Sequence, residues 1–431
     1  MQKIIQPFMI NRGLAFCLMI VFVFLISSNL KQIDNSGKVT FDTLALKNKT
    51  DSIVYDGINR KAYPGCQVLI AVKGKIIFNK AYGYHTYQNL LPVKITDLYD
   101  IASLTKTAAT TLAIMKLYEE GKIDIEQKLS FYLDFLKNTN KEHIKISEIL
   151  AHQAGFQSWI PFYKKTLDSK TIYKNGIYSK YFSEQYPVKV ADSLFIIKTY
   201  RDTILTRIIK SDTVKRKYLY SDMGFILLGE LIKKISSLTL DQYVEENFYK
   251  PMNLKNICFN PLDKGISSNK IVPTEIDNEF RKQLLCGYVH DPAAAMLGGV
   301  AGNAGCFANA ESLYYIMQML INGGVYENKR LLKKETVYLF NSRRFKNNRR
   351  GLGFDKPLLI YNENSPAAAS ASPLSFGHSG FTGCYAWADP LYDIVYIFLS
   401  NRVYPDANNN KLLELNIRTK IQQEIYNSLA K

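Results

Sequence analysis

The chain has 431 residues and a mass of 49.2 kDa, with 47% hydrophobic and 22% charged residues. That balance excludes a disordered, collagen-like or coiled-coil protein for the bulk of the chain, and fits either two to three domains or one two-lobed domain. Lys and Arg number 55 and Asp and Glu 38, a net charge of +17 that points to anionic surroundings such as nucleic acid, anionic lipid or an acidic polymer.

Lys3 and Arg12 precede an unbroken apolar run from Gly13 to Ile26, and no acidic residue occurs before Asp34. Positive charge followed by such a run is the pattern of a secretory leader, and a permanent spanning helix usually needs about 20 apolar residues. Residues 1–29 are therefore read as a signal peptide or membrane anchor. The remainder is expected outside the cytoplasm, in the periplasm or cell envelope. Cys17 lies in the apolar run. Cys66, Cys258, Cys286, Cys306 and Cys384 are odd in number and widely spaced, with no C-x-x-C, which argues against a disulfide framework or a zinc site. Neither a metal nor a cofactor is expected.

Residues 30–60 are polar and read as a linker with at most one short helix. Cys66–Val72 and Lys75–Ala81 alternate around Lys73-Gly74, a β-hairpin signal. Leu104–Glu120 has helical periodicity and ends at Gly121, and Ile146–Ala151 is a second short helix. From 157 to 217 the composition shifts to 13 Lys and Arg against 5 Asp and Glu, interleaved with Trp159, Phe162, Tyr163, Tyr173, Tyr178 and Tyr181. Such a segment either binds a polymer or is a solvated insertion with tyrosines packed beneath it. No nucleic-acid motif accompanies it, so no nucleic-acid partner is expected. Phe225–Ile235, Leu240–Phe248 and Glu311–Ile321 are helical. Cys384–Ala388 and Ile394–Leu399 form a second hairpin about Asp389-Pro390, and a helix from Lys411 to Leu429 closes the chain. Strands at both ends with helices between them predict an α+β fold: an antiparallel sheet formed from the N- and C-terminal segments, flanked by helices, with an inserted mostly helical lobe. The domain spans 61–430, and a site is expected in the cleft between sheet and lobe.

Three segments carry chemistry. Ser103 and Lys106 open the first long helix, and residues three apart share a helix face, about 5–6 Å between Cβ atoms. An amine there takes the hydroxyl proton if burial or cationic neighbours lower its pKa, and the helix N-terminus adds N–H donors for a tetrahedral oxyanion. Ser-x-x-Lys also occurs at Ser28/Lys31, Ser267/Lys270 and Ser428/Lys431; the hairpin upstream and the apolar helix downstream set Ser103 apart. Tyr220-Ser221-Asp222 precedes the Phe225 helix. A tyrosine beside a lysine can shuttle a proton, or simply cap and pack. Gly377-His378-Ser379-Gly380-Phe381-Thr382-Gly383 is either a glycine-rich turn or a segment whose backbone approaches a substrate closely.

In this order the segments resemble the S-x-x-K, Y-x-N and K-T-G motifs of the penicillin-binding and serine β-lactamase-like hydrolases. The tyrosine variant is similar to the branch holding class C β-lactamases, D-aminopeptidases, certain carboxypeptidases and esterases. The likeness runs over roughly residues 50 to 425 and includes L-x-H-x-x-G at Leu150–Gly155. It implies the β-lactamase/transpeptidase-like fold, with Ser103 as nucleophile, Lys106 as its activator and Tyr220 as proton shuttle. Asp222 would contact the substrate amide or Lys106. His378 would position a substrate carboxylate or tune Tyr220. Ser379, Gly380 and Phe381 would line the substrate and oxyanion side, the hole itself being the N–H groups of Ser103 and Phe381.

Two departures bear on chemistry. His378 stands where the motif has Lys and is mostly neutral near its reference pKa of about 6.5, which tilts the substrate toward an ester or a different amide. Asp222 stands where the motif has Asn, and its charge would raise the Lys106 pKa. His290-Asp291 offers a weaker Ser-His-Asp alternative. His85, His143 and His152 show no metal-ligand spacing, and His152 is expected behind the first helix. The expectation is an exported monomeric serine hydrolase forming an acyl-enzyme on Ser103 with a wall peptide, a β-lactam or a carboxylic ester. The alternative is a catalytically silent domain of the same fold that binds wall fragments.

Overall fold

A computed structural model of the chain describes residues 42–170 and 172–429, so the apolar run at 13–26, read above as leader or anchor, lies outside the described residues. Among the described residues no helix is long and apolar enough to cross a membrane. The elements that place the site are, in chain order, α1 (Thr43–Asn59), β1 (Gly65–Val72), β2 (Lys75–Gly83), α2 (Leu112–Glu119), α3 (Met223–Ser236), α4 (Ala310–Ile321), β3 (Phe376–Ser379), β4 (Tyr385–Asp389), β5 (Ile394–Ser400) and α5 (Ile417–Asn427).

The five strands form one antiparallel sheet in the order β3-β4-β5-β1-β2, so the two ends of the chain meet at its centre. β1 and β5 pair from Cys66–Ser400 through Val72–Ile394. Side chains alternate across the sheet. Leu69, Ala71, Val395, Ile397 and Leu399 enter the main core with α4, while Val68, Ile70, Tyr396 and Phe398 meet Leu46, Val54, Ile421 and Ile425 of α1 and α5 on the opposite face. Both faces are buried, which is why β1 and β5 read as almost continuous apolar runs. Each such side chain removed from water contributes about 1.5–3 kcal/mol.

Two expectations are corrected. Residues 43–59 are not a linker but a 17-residue helix capped by Asp42, whose Oδ1 accepts the Ala45 N–H at 2.9 Å. Its apolar stripe is narrow, with Leu46 and Val54 buried among polar neighbours, and only α5 and the sheet reveal what that stripe covers. The 157–217 insertion holds three short strands, Tyr178–Ser179, Val188–Ala191 and Leu194–Ile196, before the helix Tyr200–Lys210. Tyr163 and Tyr178 pack against Phe280, while Trp159 and Tyr181 stay exposed. The final helix breaks at Asn416, where φ is +52°.

A cleft of about 710 Å³ opens between the nucleophile turn, the insertion and the chain after β5; its walls include Ser103, Trp159, Tyr220, Phe280, Phe381 and Asn408. A second cavity of about 260 Å³, between Lys189, Asp263 and Tyr288, includes none of the motif residues.

Candidate active site

The nucleophile turn is fixed by its neighbours. Tyr99–Asp100 pairs with Phe307–Ala308, and the buried Asp100 carboxylate accepts N–H groups of Ala102 (2.8 Å) and His290 (2.6 Å). Ala102 then takes φ +46°, a left-handed conformation that a residue with a Cβ adopts only when its surroundings enforce it. The chain continues through a tight 3₁₀ turn (Ala102–Leu104) and a wide π turn (Lys106–Thr111) into α2, in place of the regular helix that periodicity predicts. The result is a part-exposed Ser103 in the cleft wall and a fully buried Lys106 beneath it.

Lys106 Nζ donates to Ser103 Oγ at 3.0 Å, Asp222 Oδ1 at 2.6 Å and the Asn303 carbonyl at 2.9 Å, which engages all three ammonium hydrogens. Asn303 reaches the amine because Gly302 lies against α3; a Cβ there would sit 2.0 Å from the Phe225 carbonyl oxygen. Tyr220 donates from its hydroxyl to Ser103 Oγ at 2.8 Å. Its segment is tied to the loop after Leu150. The Leu219 N–H donates to the His152 carbonyl (2.9 Å), the Ser221 N–H to His152 Nδ1 (3.1 Å), and Ser221 Oγ to the Gln157 carbonyl (2.5 Å). His152 is itself buried. Its ring lies 4.3 Å from the Tyr220 ring and 5.2 Å from that of Phe225, so it backs the phenol.

The third segment is a strand, not a turn. His378 lies within β3, is only 2% exposed and does not line the cleft, which corrects the expectation that it meets a substrate carboxylate. Its Nδ1–H donates to the Ser379 carbonyl at 2.7 Å, and its ring centre is 5.9 Å from that of Tyr220. Ser379 is exposed and Gly380 buried, and neither lines the cleft. Gly380 instead permits close approach, since a Cβ would meet the Ile101 carbonyl oxygen at 2.5 Å. This draws the end of β3 to the nucleophile turn. Only Phe381 of the segment faces the cleft. Among the described residues neither the Ser103 nor the Phe381 N–H has an acceptor, so both remain available to an incoming oxyanion.

His290 and Asp291 form no triad with Ser103. His290 Nε2 lies 2.8 Å from Glu275, and Asp291 caps the short helix Pro292–Met296 by accepting the Ala294 N–H at 2.7 Å. Asn303, Arg350 and Asp355 also belong to the site and carried no motif. The glycines at 298–302 were the only sequence trace of the loop that presents Asn303.

Burial pulls the Lys106 amine down, but the adjacent Asp222 carboxylate outweighs it and holds the amine above its ordinary value. Burial pushes the Asp222 carboxyl up, and Lys106 offsets this only in part. The Tyr220 phenol is likewise raised by burial, with Lys106 pulling the other way. The resting site is thus an ammonium–carboxylate pair beside a neutral phenol. His378 is pushed down to about 3, chiefly by burial and then by the Arg350 and Lys106 cations. Since its folded pKa lies below the unfolded value of about 6.5, this group's stabilisation is complete above pH 6.5 and is lost as pH falls toward 3. His378→Asn should therefore lose about 1.4 kcal/mol less per pH unit than the wild type in that window. Urea unfolding at pH 7.5 and 5.5 checks this, and equal losses would contradict it.

Residues 50–418 match the β-lactamase family. The chain belongs to that family. A Salmonella gallinarum protein named "Putative D-alanyl-D-alanine carboxypeptidase" is 32% identical over 412 residues, covering 88% of each chain. Among solved structures, EstCE1, titled a hydrolase with promiscuous acyltransferase activity, superposes with a TM-score of 0.63 at 17% identity, covering 88% of this chain and 99% of that one. A class C β-lactamase from Rhodobacter sphaeroides gives 0.64 at 12% identity, covering 88% and 99%. These two establish shared architecture: helices with an antiparallel sheet in the β-lactamase/transpeptidase arrangement. The protein is a serine hydrolase of the β-lactamase family.

Proposed function

We propose that the protein hydrolyses a D-amino-acid peptide of the cell wall through an acyl-enzyme on Ser103. The observation that carries this is the double contact on Ser103 Oγ, with the Lys106 amine at 3.0 Å and the Tyr220 hydroxyl at 2.8 Å. In acylation the Lys106–Asp222 pair passes its shared proton to Asp222, whose carboxyl burial already disposes to hold it. The neutral amine takes the Ser103 proton as Oγ attacks the carbonyl carbon. The oxyanion meets the N–H groups of Ser103 and Phe381, and the Tyr220 hydroxyl protonates the leaving amine as the C–N bond breaks. Lys106 then returns a proton to the phenolate. Water reverses the sequence and releases the acid.

The cleft suits a substrate that carries a cationic side chain. Glu275, Asp277, Glu279, Asp291 and Asp406 line it alongside Asp222, and the lining guanidinium of Arg281 is already paired with Asp277 at 2.7 Å. Such a wall attracts positive charge and so suits a stem peptide that bears a side-chain amine. The name of the Salmonella relative points the same way. A carboxylic ester remains the second reading, favoured by the absence of a cation from position 378. We further place the protein outside the cytoplasm, carried there by the leader or anchor pattern at 13–26, where wall peptides occur. Intact-mass analysis after a fluorophosphonate or labelled penicillin, together with turnover of p-nitrophenyl acetate and of an L-Lys-D-Ala-D-Ala peptide, tests the reading. No adduct and no turnover with any of these would leave a silent binding domain.

A further inference from the structure

A buried charge beside Tyr220 takes no part in the steps above. Arg350 is 3% exposed, and its guanidinium carbon lies 5.1 Å from the Tyr220 ring centre, while Lys106 Nζ lies 5.2 Å from the same centre. Arg350 Nη2 donates to Asp355 Oδ2 at 3.1 Å and Nε to the Tyr218 hydroxyl at 3.3 Å; Nη1 is buried with no partner among the described residues. Asp355 is already engaged by Arg349, through Nε at 2.7 Å and Nη2 at 2.9 Å. Two permanently charged guanidiniums thus share one carboxylate, which leaves a surplus of one positive charge.

The other groups facing the phenol carry no net charge. Lys106 and Asp222 cancel as a pair. His152 accepts from the Ser221 N–H through Nδ1, and His378 donates from Nδ1, so each fits the neutral imidazole. Phe225 on α3 is apolar. The arginine loop is held in register by its backbone. The Gly353 N–H donates to the Leu150 carbonyl at 2.9 Å, and Asp355 exchanges two hydrogen bonds with Gly377, next to His378, at 2.7 and 3.0 Å.

We propose that Arg350, held by Asp355, is a positioning residue that supplies the fixed positive charge of the active site in place of the motif lysine: it favours the deprotonated phenol of Tyr220 and keeps His378 neutral. Burial raises the phenol, and Arg350 acts with Lys106 against that rise. After burial, Arg350 is also the largest influence holding His378 low. The proposal shares Tyr220 with the acyl-enzyme reading, so its test has one arm that needs no turnover.

In that arm the His378 ring signal, assigned among the five histidines by its loss in His378→Asn, is followed by NMR in the full chain. The wild-type signal should stay flat from pH 8 to about 5; in Arg350→Gln the titration should move up by about one pH unit and its onset enter the window. In the second arm, acylation by the L-Lys-D-Ala-D-Ala peptide should fall about tenfold in Arg350→Gln at pH 7, because a less acidic phenol donates less readily to the leaving amine, with KM little changed and the rate restored by Arg350→Lys. Acylation by p-nitrophenyl acetate, whose leaving group needs no proton, should change little, whereas a general structural defect would lower both rates alike. An unmoved His378 signal together with an equal loss on both substrates overturns the proposal. Turnover absent from the wild type while His378 still shifts would refute the hydrolase reading and leave the electrostatic one standing.

Discussion

Ser103→Ala is expected to abolish covalent labelling and to reduce turnover by roughly 10⁵-fold or more, the scale seen when a hydrolase loses its nucleophile. The hydroxyl contacts both Lys106 and Tyr220, and among the described residues it stands in the cleft wall beside N–H groups with no acceptor. Stability should change little. Ser103 is part-exposed, and the two remaining Lys106 contacts, to Asp222 and Asn303, keep the amine placed. Intact mass and initial rates read the first effect, and thermal unfolding reads the second. A Ser103→Ala protein that still turns over substrate and still takes up the probe would move the nucleophile elsewhere.

Tyr220→Phe should lower acylation by about 10²–10⁴-fold, the usual contribution of a positioned acid or base. The substitution removes only the hydroxyl and keeps the ring against His152 and near Lys106. It is a cleaner probe than truncating Lys106, which would leave Asp222 without its partner at a cost of about 3–5 kcal/mol. Single-turnover measurements should place the loss in kcat and not in KM. A loss below tenfold would mean that Lys106 alone carries the proton between Ser103 and the leaving group.

The elements that could be read from the sequence share a property: their signal lies within a few residues. The hairpin at Lys73-Gly74 shows because a lysine-glycine turn, at φ 51° and 70°, separates two apolar-rich runs of strand length. Ser103 and Lys106 show because one turn of chain brings them together. The misreadings depend on distant partners. α1 has too narrow an apolar stripe to identify its cover, and β3 is four residues long.

The amino-acid order alone determined the chemistry on offer: an alcohol and an amine on one turn, a phenol beside a carboxylate, and a histidine in place of a cation. Only the three-dimensional arrangement decided how those groups behave. Folding buries His378 within β3, fixes the charge on Lys106 through Asp222, and brings Arg350 to the phenol from a loop that carries no motif. Local covalent spacing constrains which groups lie within a turn of each other, whereas burial and Coulomb interactions depend on contacts made across more than a hundred residues of chain.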